Sequence, residues 1–126
     1  MADTRGTVIW FEIWVSDLER AKVFYTGMFG WKYEPLAEYD AESYWQILAG
    51  DAAAVNGALV GGPDRDRPAG RGTVLYIHVD DLEESLDRAR MMGGSLVQGR
   101  TKITDTAGSF AIVADPDGNH LGLWVS

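Results

Sequence analysis

A five-residue pattern that occurs twice constrains the fold of this chain more than any other feature. Residues 15–19 (Val-Ser-Asp-Leu-Glu) return 64 positions later as residues 79–83 (Val-Asp-Asp-Leu-Glu). Each copy follows an alternating apolar segment and precedes a segment with helical spacing, so each predicts a strand followed by a helix. A chain of 126 residues is too short for two independent domains. We therefore predict one domain, residues 1–126, in which two copies of one module share a core.

The first copy has the composition of a strand, a helix and three further strands. Its opening strand, residues 8–15, is β-branched and aromatic. Ser16 and Glu19 have the spacing of a capping box, so we expect Ser16 to cap the helix. Gly27 and Gly30 are expected to end it. The pattern predicts strands at residues 31–34, 44–48 and 54–60, and an inward helix face of Leu18, Ala21, Tyr25 and Met28.

The second copy repeats this order. Residues 61–72 are rich in Gly, Pro and charge and predict a linker between module one, residues 7–60, and module two, residues 73–126. A hairpin turn is expected at residues 115–119, Asp-Pro-Asp-Gly-Asn. The predicted fold class is α+β, with tandem βαβββ modules whose paired curved sheets form a cleft and whose helices lie outside. The strands of module two are predicted at residues 73–79, 95–104, 110–114 and 120–125, and its helix at 81–92.

Charge and composition exclude several classes of partner. The formal net charge is −8, which opposes binding to nucleic acid or to an anionic membrane surface. Cysteine is absent, which removes disulfides and thiol chemistry. No apolar stretch approaches the roughly 20 residues that span a bilayer, and the first residues lack the apolar run of a signal peptide. A cytoplasmic location is therefore expected.

Alternation divides three of the strands into an apolar face and a mixed face of aromatic, acidic and imidazole side chains. If the helices cover the apolar faces, the mixed faces line a concavity, because so many indoles do not suit a bare solvated surface. An aromatic core or subunit interface is the alternative. The candidate ligand-binding residues are Trp10, Glu12, Trp14, Tyr76, His78, His120 and Trp124.

Glu12 is the most informative of these residues. A carboxylate between Trp10 and Trp14 in mid-strand must pair, protonate or face water, and desolvation would raise its pKa toward the range of a general base. A solvated carboxylate on a wet face is the alternative. His78 and His120 have no neighbouring ligand at metal-binding spacing, and single histidines usually make structural hydrogen bonds.

Two motifs, together with the duplicated plan, resemble the vicinal oxygen chelate superfamily, which includes glyoxalase I, extradiol dioxygenases and the fosfomycin-resistance and bleomycin-resistance proteins. The motifs are Phe24-Tyr25 with Phe29-Gly-Trp31, and Asp115-Pro-Asp-Gly-Asn with the following strand. The resemblance covers residues 8–125. It implies a glyoxalase-like protein that binds a small molecule and forms a homodimer.

The resemblance also implies a metal site, and this chain departs from it. The superfamily's ligand positions fall at Trp10, Val74 and Gly122 and within residues 56–59 (Asn-Gly-Ala-Leu), none of which supplies the usual ligand. We therefore expect no divalent metal and no cofactor. A rearranged metal site built from Glu12, His78 and His120 stays open as an alternative.

Three functions follow from these residues. The first is a small-molecule-binding protein whose aromatic, acidic cleft captures a planar or cationic ligand. The second is a metal-independent isomerase or lyase with Glu12 as the general base and a histidine as the acid. The third is a self-associating or partner-binding domain whose indole face is an interface. We favour the first, with catalysis left open.

Overall fold

The structure is a computed structural model that describes residues 5–36, 39, 43–50, 55–61 and 72–126. Two βαβββ segments follow one another along the chain, which confirms the α+β fold class. The elements are β1 (Val8–Val15), α1 (Leu18–Phe29), β2 (Lys32–Pro35), β3 (Tyr44–Leu48), β4 (Asn56–Gly61), β5 (Thr73–His78), α2 (Leu82–Met91), β6 (Ser95–Thr104), β7 (Gly108–Ala114) and β8 (His120–Val125).

The chain separates into two compact units. The first unit is Trp10–Val74, and the second is Met1–Ile9 together with Leu75–Ser126. The strand order is β2-β3-β4-β1 in the first unit and β5-β8-β7-β6 in the second. In each unit the first strand pairs in parallel with the last strand of its segment, and the remaining pairs are antiparallel. The cleft predicted between paired sheets stays a prediction.

The predicted module boundaries at residues 60 and 73 also stay a prediction. Gly61, placed in the predicted linker, is the last residue of β4. Residues 62–71 of that predicted linker lie outside the described residues. Across the residues that are described, neither helix combines the length and apolar character needed to cross a membrane.

Each helix covers one face of the sheet in its own unit. In the first unit, Ala21 of α1 is buried with Ile47 and Leu59 of the sheet. In the second unit, Leu82 and Leu86 of α2 occupy the equivalent position. Burial of such side chains is worth about 1.5 to 3 kcal/mol each, so these contacts fix which face of each strand meets a helix. The sheet residues under α2 are Ala111, Val113, Leu121, Leu123 and Val125.

The N-terminus of α1 differs from the prediction. The cap is Asp17, whose Oδ1 accepts a hydrogen bond from the Arg20 amide at 3.0 Å, and not Ser16. Asp17 is extended at φ −134°, which aims its carboxylate at the first turn. Asp81 caps α2 in the same way, with 3.0 Å to the Glu84 amide. The repeated residue is therefore the capping aspartate.

The C-terminal ends of the two helices are not equivalent. Gly27, which the pattern placed at a helix end, lies inside α1, and Gly30 is the left-handed cap at φ 71°. In the second copy the left-handed glycine is Gly93 at φ 95°, one residue earlier than the repeat would place it. The duplication is thus exact at the helix starts and shifted at their ends.

Met28 is a second correction within α1. It is 60% exposed, although its spacing placed it on the inward face. The Trp31 ring stacks on the Tyr25 ring with centroids 5.1 Å apart. Val23 and Phe24 are exposed on the same helix. The inward face of α1 therefore ends at Tyr25.

The Asp-Pro-Asp-Gly-Asn segment forms the predicted turn between β7 and β8. Asp115 Oδ1 accepts from the amides of Asp117 at 2.9 Å and Asn119 at 2.8 Å. The Asp115 amide donates to the Asn119 carbonyl at 2.8 Å and closes the turn. The Asp115 carboxylate thus accepts hydrogen bonds from two backbone amides within the turn.

The capping assignment gives a stability test. Asp17→Ala should lower the free energy of unfolding by about 1 kcal/mol, because the Arg20 amide loses its acceptor. Ser16→Ala, the matched control, should change it by less than about 0.5 kcal/mol. Urea denaturation of both variants measures the difference. Equal losses in the two variants would contradict the assignment.

Candidate functional site

The mixed face of β1 lies on the side of the sheet opposite α1. Phe11, Ile13 and Val15 pack with the α1 core, as the alternation predicted. Because successive side chains of a strand point to opposite faces, Trp10, Glu12 and Trp14 occupy the other side. All three are half-buried.

A tyrosine that the sequence reasoning did not select joins two of these residues. The Tyr44 hydroxyl donates to Glu12 Oε2 at 2.7 Å and accepts from the Trp10 indole nitrogen at 3.0 Å. The strand between them, β4, contributes Ala58 in register with Glu12. Ala58 is fully buried, and the register partner of Tyr44 on β4 is Val60, so the Tyr44 side chain reaches Glu12 diagonally across β4.

The surroundings of Tyr44 keep its hydroxyl protonated. Burial raises the pKa of Tyr44 well above its ordinary value, and the neighbouring negative charge of Glu12 raises the pKa further. The Tyr39 ring stacks on the Tyr44 ring with centroids 4.4 Å apart and planes 16° apart. Tyr44 is therefore a fixed hydrogen-bond donor toward a charged carboxylate.

Trp14 has a different environment from Trp10. Its indole nitrogen is buried and has no hydrogen-bond partner among the residues that the structure describes. A buried donor left without an acceptor costs about 1 to 3 kcal/mol. On this face the Glu12 carboxylate accepts a hydrogen bond from Tyr44, whereas the buried Trp14 nitrogen has no acceptor among the described residues.

The raised pKa of Tyr44 predicts how stability changes in alkaline solution. Above about pH 10 the unfolded chain releases the tyrosine proton while the folded chain keeps it, so stability falls as pH rises. The stability difference between wild type and Tyr44→Phe should be constant below that pH. It should then shrink by up to about 1.4 kcal/mol per pH unit.

Urea denaturation from about pH 8 to about pH 11 measures this difference. The comparison with Tyr44→Phe removes the contributions of all other titrating groups, which both proteins share. A difference that stays constant over the whole range would contradict the assigned environment of Tyr44.

The candidate residues of the second unit lie on the face opposite α2. The His78 and Trp124 rings are 5.2 Å apart. The Trp124 indole nitrogen donates to the Ala107 carbonyl at 2.7 Å, so its donor is used within the unit. Tyr76 meets Phe110 edge to face at 5.9 Å. The structure thus brings His78 and Trp124 together.

His120, at the start of β8, has a buried Nδ1 without a hydrogen-bond partner among the described residues. Its role in ligand binding stays a prediction, as do the roles of the other six candidates.

The positions that the superfamily uses for metal do not offer metal ligands. The Trp10 indole nitrogen carries a proton that it donates to Tyr44, so it has no lone pair to offer. Val74 is buried and apolar. Gly122 has no side chain, and the Tyr76 ring lies directly over its Cα. Within the described ranges, no three His, Cys, Asp or Glu side chains are grouped to hold a metal ion. The residues present do not fit the superfamily's usual ion.

The contact between Tyr76 and Gly122 can be tested directly. A Cβ at Gly122 would overlap the Tyr76 ring, whereas a Cβ at Gly99 of β6 would meet open space. Gly122→Ala should therefore destabilise the protein by about 1 to 3 kcal/mol. Gly99→Ala should change stability by less than about 0.5 kcal/mol. Thermal and urea unfolding report both values, and a neutral Gly122→Ala would contradict the packing.

The order of the strands and helices is that of a glyoxalase-like protein. The family model of the Glyoxalase/Bleomycin resistance protein/Dioxygenase superfamily matches residues 7–123. The chain belongs to this superfamily, which confirms the resemblance noted in the sequence.

Individual proteins show the same relationship. The chain is 32% identical over 122 residues to CFP32 of Mycobacterium tuberculosis, a provisionally assigned glyoxylase, covering 95% of this chain and 46% of that protein. It is 26% identical over 130 residues to the anthracycline biosynthesis protein DnrV of Streptomyces peucetius, covering 94% and 46%. The chain spans about half the length of both relatives.

A solved structure shows the likeness of fold. The crystal structure of a superfamily member from Vibrio splendidus 12B01 matches with a TM-score of 0.67 at 17% identity, covering 96% of this chain and 99% of that one. At this identity the comparison speaks for the fold alone.

Proposed function

We propose that the chain binds a small molecule that is planar and positively charged, on the face of the first unit that carries Glu12. The observation that supports this most directly is the hydrogen-bonded series from the Trp10 indole through the Tyr44 hydroxyl to the Glu12 carboxylate, at 3.0 Å and 2.7 Å. It holds an anionic group in one position among aromatic rings. Such a group favours a ligand that carries a cation.

The aromatic neighbours suit the planar part of such a ligand. Trp10, Tyr39 and Tyr44 offer ring faces or edges for stacking and for cation–π contact. The net charge of −8 raises the local concentration of cations at longer range. Charge and ring chemistry therefore favour the same kind of ligand.

The raised pKa of Tyr44 favours binding over proton transfer. Burial and the charge of Glu12 hold the proton on the Tyr44 hydroxyl. A hydroxyl that keeps its proton so firmly is a poor acid for catalysis near neutral pH. The geometry around Glu12 thus favours recognition, and the metal-independent isomerase or lyase remains the alternative.

We also propose that binding needs no metal ion. The proposal rests on the chemistry of three of the superfamily's ligand positions. Trp10 has an N–H group that donates a hydrogen bond, Val74 is aliphatic, and Gly122 has no side chain. The homodimer and the cytoplasmic location expected from the sequence stay predictions.

The relative DnrV suggests a chemical probe. Its name places it in anthracycline biosynthesis. An anthracycline such as doxorubicin is a planar ring system with an ammonium group on its sugar, and its aglycone keeps the rings without the charge. The pair separates the contribution of the cation from that of stacking.

Calorimetric titration with both probes tests the function. Wild type should bind doxorubicin more tightly than the aglycone, and Glu12→Gln should lower the doxorubicin affinity about tenfold while changing aglycone affinity little. Glu34→Gln, which removes the same charge from an exposed position on β2, is the matched control and should leave both affinities unchanged. EDTA should not alter binding.

Three outcomes would contradict the proposal. Equal affinity for the two probes would exclude recognition of the cation, and an equal loss in Glu34→Gln would indicate a general charge effect. Loss of binding in EDTA would indicate that a metal ion takes part.

A further inference from the structure

We infer that Tyr44 is a positioning residue that sets the preference of Glu12 for cationic ligands. The inference rests on the proposed function and deepens it, because it assigns selectivity to a residue outside the face of β1. Tyr44 acts through Glu12, by holding one oxygen of its carboxylate.

The direction of the hydrogen bonds is fixed by chemistry. An indole nitrogen can only donate, so the Tyr44 oxygen must accept from Trp10 at 3.0 Å. The hydroxyl proton is then left to point at Glu12 Oε2, 2.7 Å away. Trp10 therefore orients Tyr44, and Tyr44 orients Glu12.

This orientation lowers the entropy lost when a ligand binds. A free glutamate side chain loses about 1.5 to 2 kcal/mol of rotamer freedom when it is fixed. The bond from Tyr44 restricts Glu12 during folding, so less freedom remains to be lost on binding. The same bond favours the charged form of the carboxyl group.

Packing holds Tyr44 itself in place. The Tyr39 ring stacks against it at 4.4 Å, and the register partner of Tyr44 on β4 is the buried Val60. The facing positions of β3 and β4 next to Glu12 are Gln46 and Ala58, which carry no charge. Tyr44 is a titratable group that donates a hydrogen bond directly to the Glu12 carboxylate.

The first experiment needs no ligand. Carbon-13 NMR of the Glu12 carboxyl group follows its titration in wild type, Tyr44→Phe and Tyr33→Phe. Loss of the donated hydrogen bond should move the titration midpoint upward by about one pH unit in Tyr44→Phe. Tyr33→Phe is the control, because Tyr33 belongs to the α1 core and its hydroxyl lies 3.5 Å from the Lys22 carbonyl. It should leave the midpoint unchanged.

The second experiment measures selectivity with doxorubicin and its aglycone. Tyr44→Phe should reduce the preference for the charged probe about tenfold, since hydrogen bonds to charged groups carry this much energy. In a Glu12→Gln background the same substitution should change the preference by less than about twofold, because the group through which it acts is absent. Tyr44→Met, which also lacks the hydroxyl, replaces Tyr44→Phe if that variant does not fold.

The two experiments fail separately. An unchanged Glu12 titration in Tyr44→Phe would overturn the role of Tyr44, whether or not a ligand binds. A selectivity loss that persists in the Glu12→Gln background would overturn it as well. Failure of wild type to bind either probe would instead overturn the proposed function.

Discussion

The structure of the first unit depends on one constraint, the strict alternation of side chains along β1. Phe11, Ile13 and Val15 are half-buried and pack with the α1 core, so the residues between them must lie on the opposite face. Glu12 is thereby placed among rings on the opposite side. A slip of one residue would put a carboxylate under the helix, so the hydrophobic contacts with α1 also specify where the acid lies.

A half-buried carboxylate needs donors, and the neighbouring strands determine which donor reaches it. Register places Ala58 beside Glu12 and Val60 beside Tyr44, so the Tyr44 side chain reaches Glu12 diagonally across β4. The tyrosine both satisfies the acid and is itself satisfied by Trp10. The three side chains therefore form one hydrogen-bonded arrangement. A change to any one of them alters the hydrogen bonding of the others.

Much of this architecture could be predicted from the sequence because it depends on local patterns. The bounds of β1, β3, β6 and β8 followed from alternation and composition, and the helices followed from the repeated pattern. The cap was misplaced by one residue because Ser16 and Asp17 are both good capping residues, and only the backbone dihedrals distinguish them. Met28 was wrongly assigned to the inward face of α1. Helical spacing does not report that Trp31, which follows the helix, stacks on Tyr25.

The partner of Glu12 could not be predicted in the same way. Tyr44 lies 32 positions from Glu12, and the two strand registers place Gln46, not Tyr44, level with Glu12. The contact depends on the diagonal direction of the Tyr44 side chain, which no spacing in the sequence encodes. The available signal was a tyrosine within a strand, but Tyr33 and Tyr76 also lie in strands and make other contacts.

The position of the Tyr76 ring over Gly122 has a consequence for how this protein could change. A side chain at residue 122 cannot be accommodated until the ring above it is removed or displaced. Acquiring a carboxylate there would accordingly require either a shift of the Tyr76 ring or a second substitution at residue 76. A library that varies residue 122 alone would therefore sample proteins that the contact with Tyr76 destabilises.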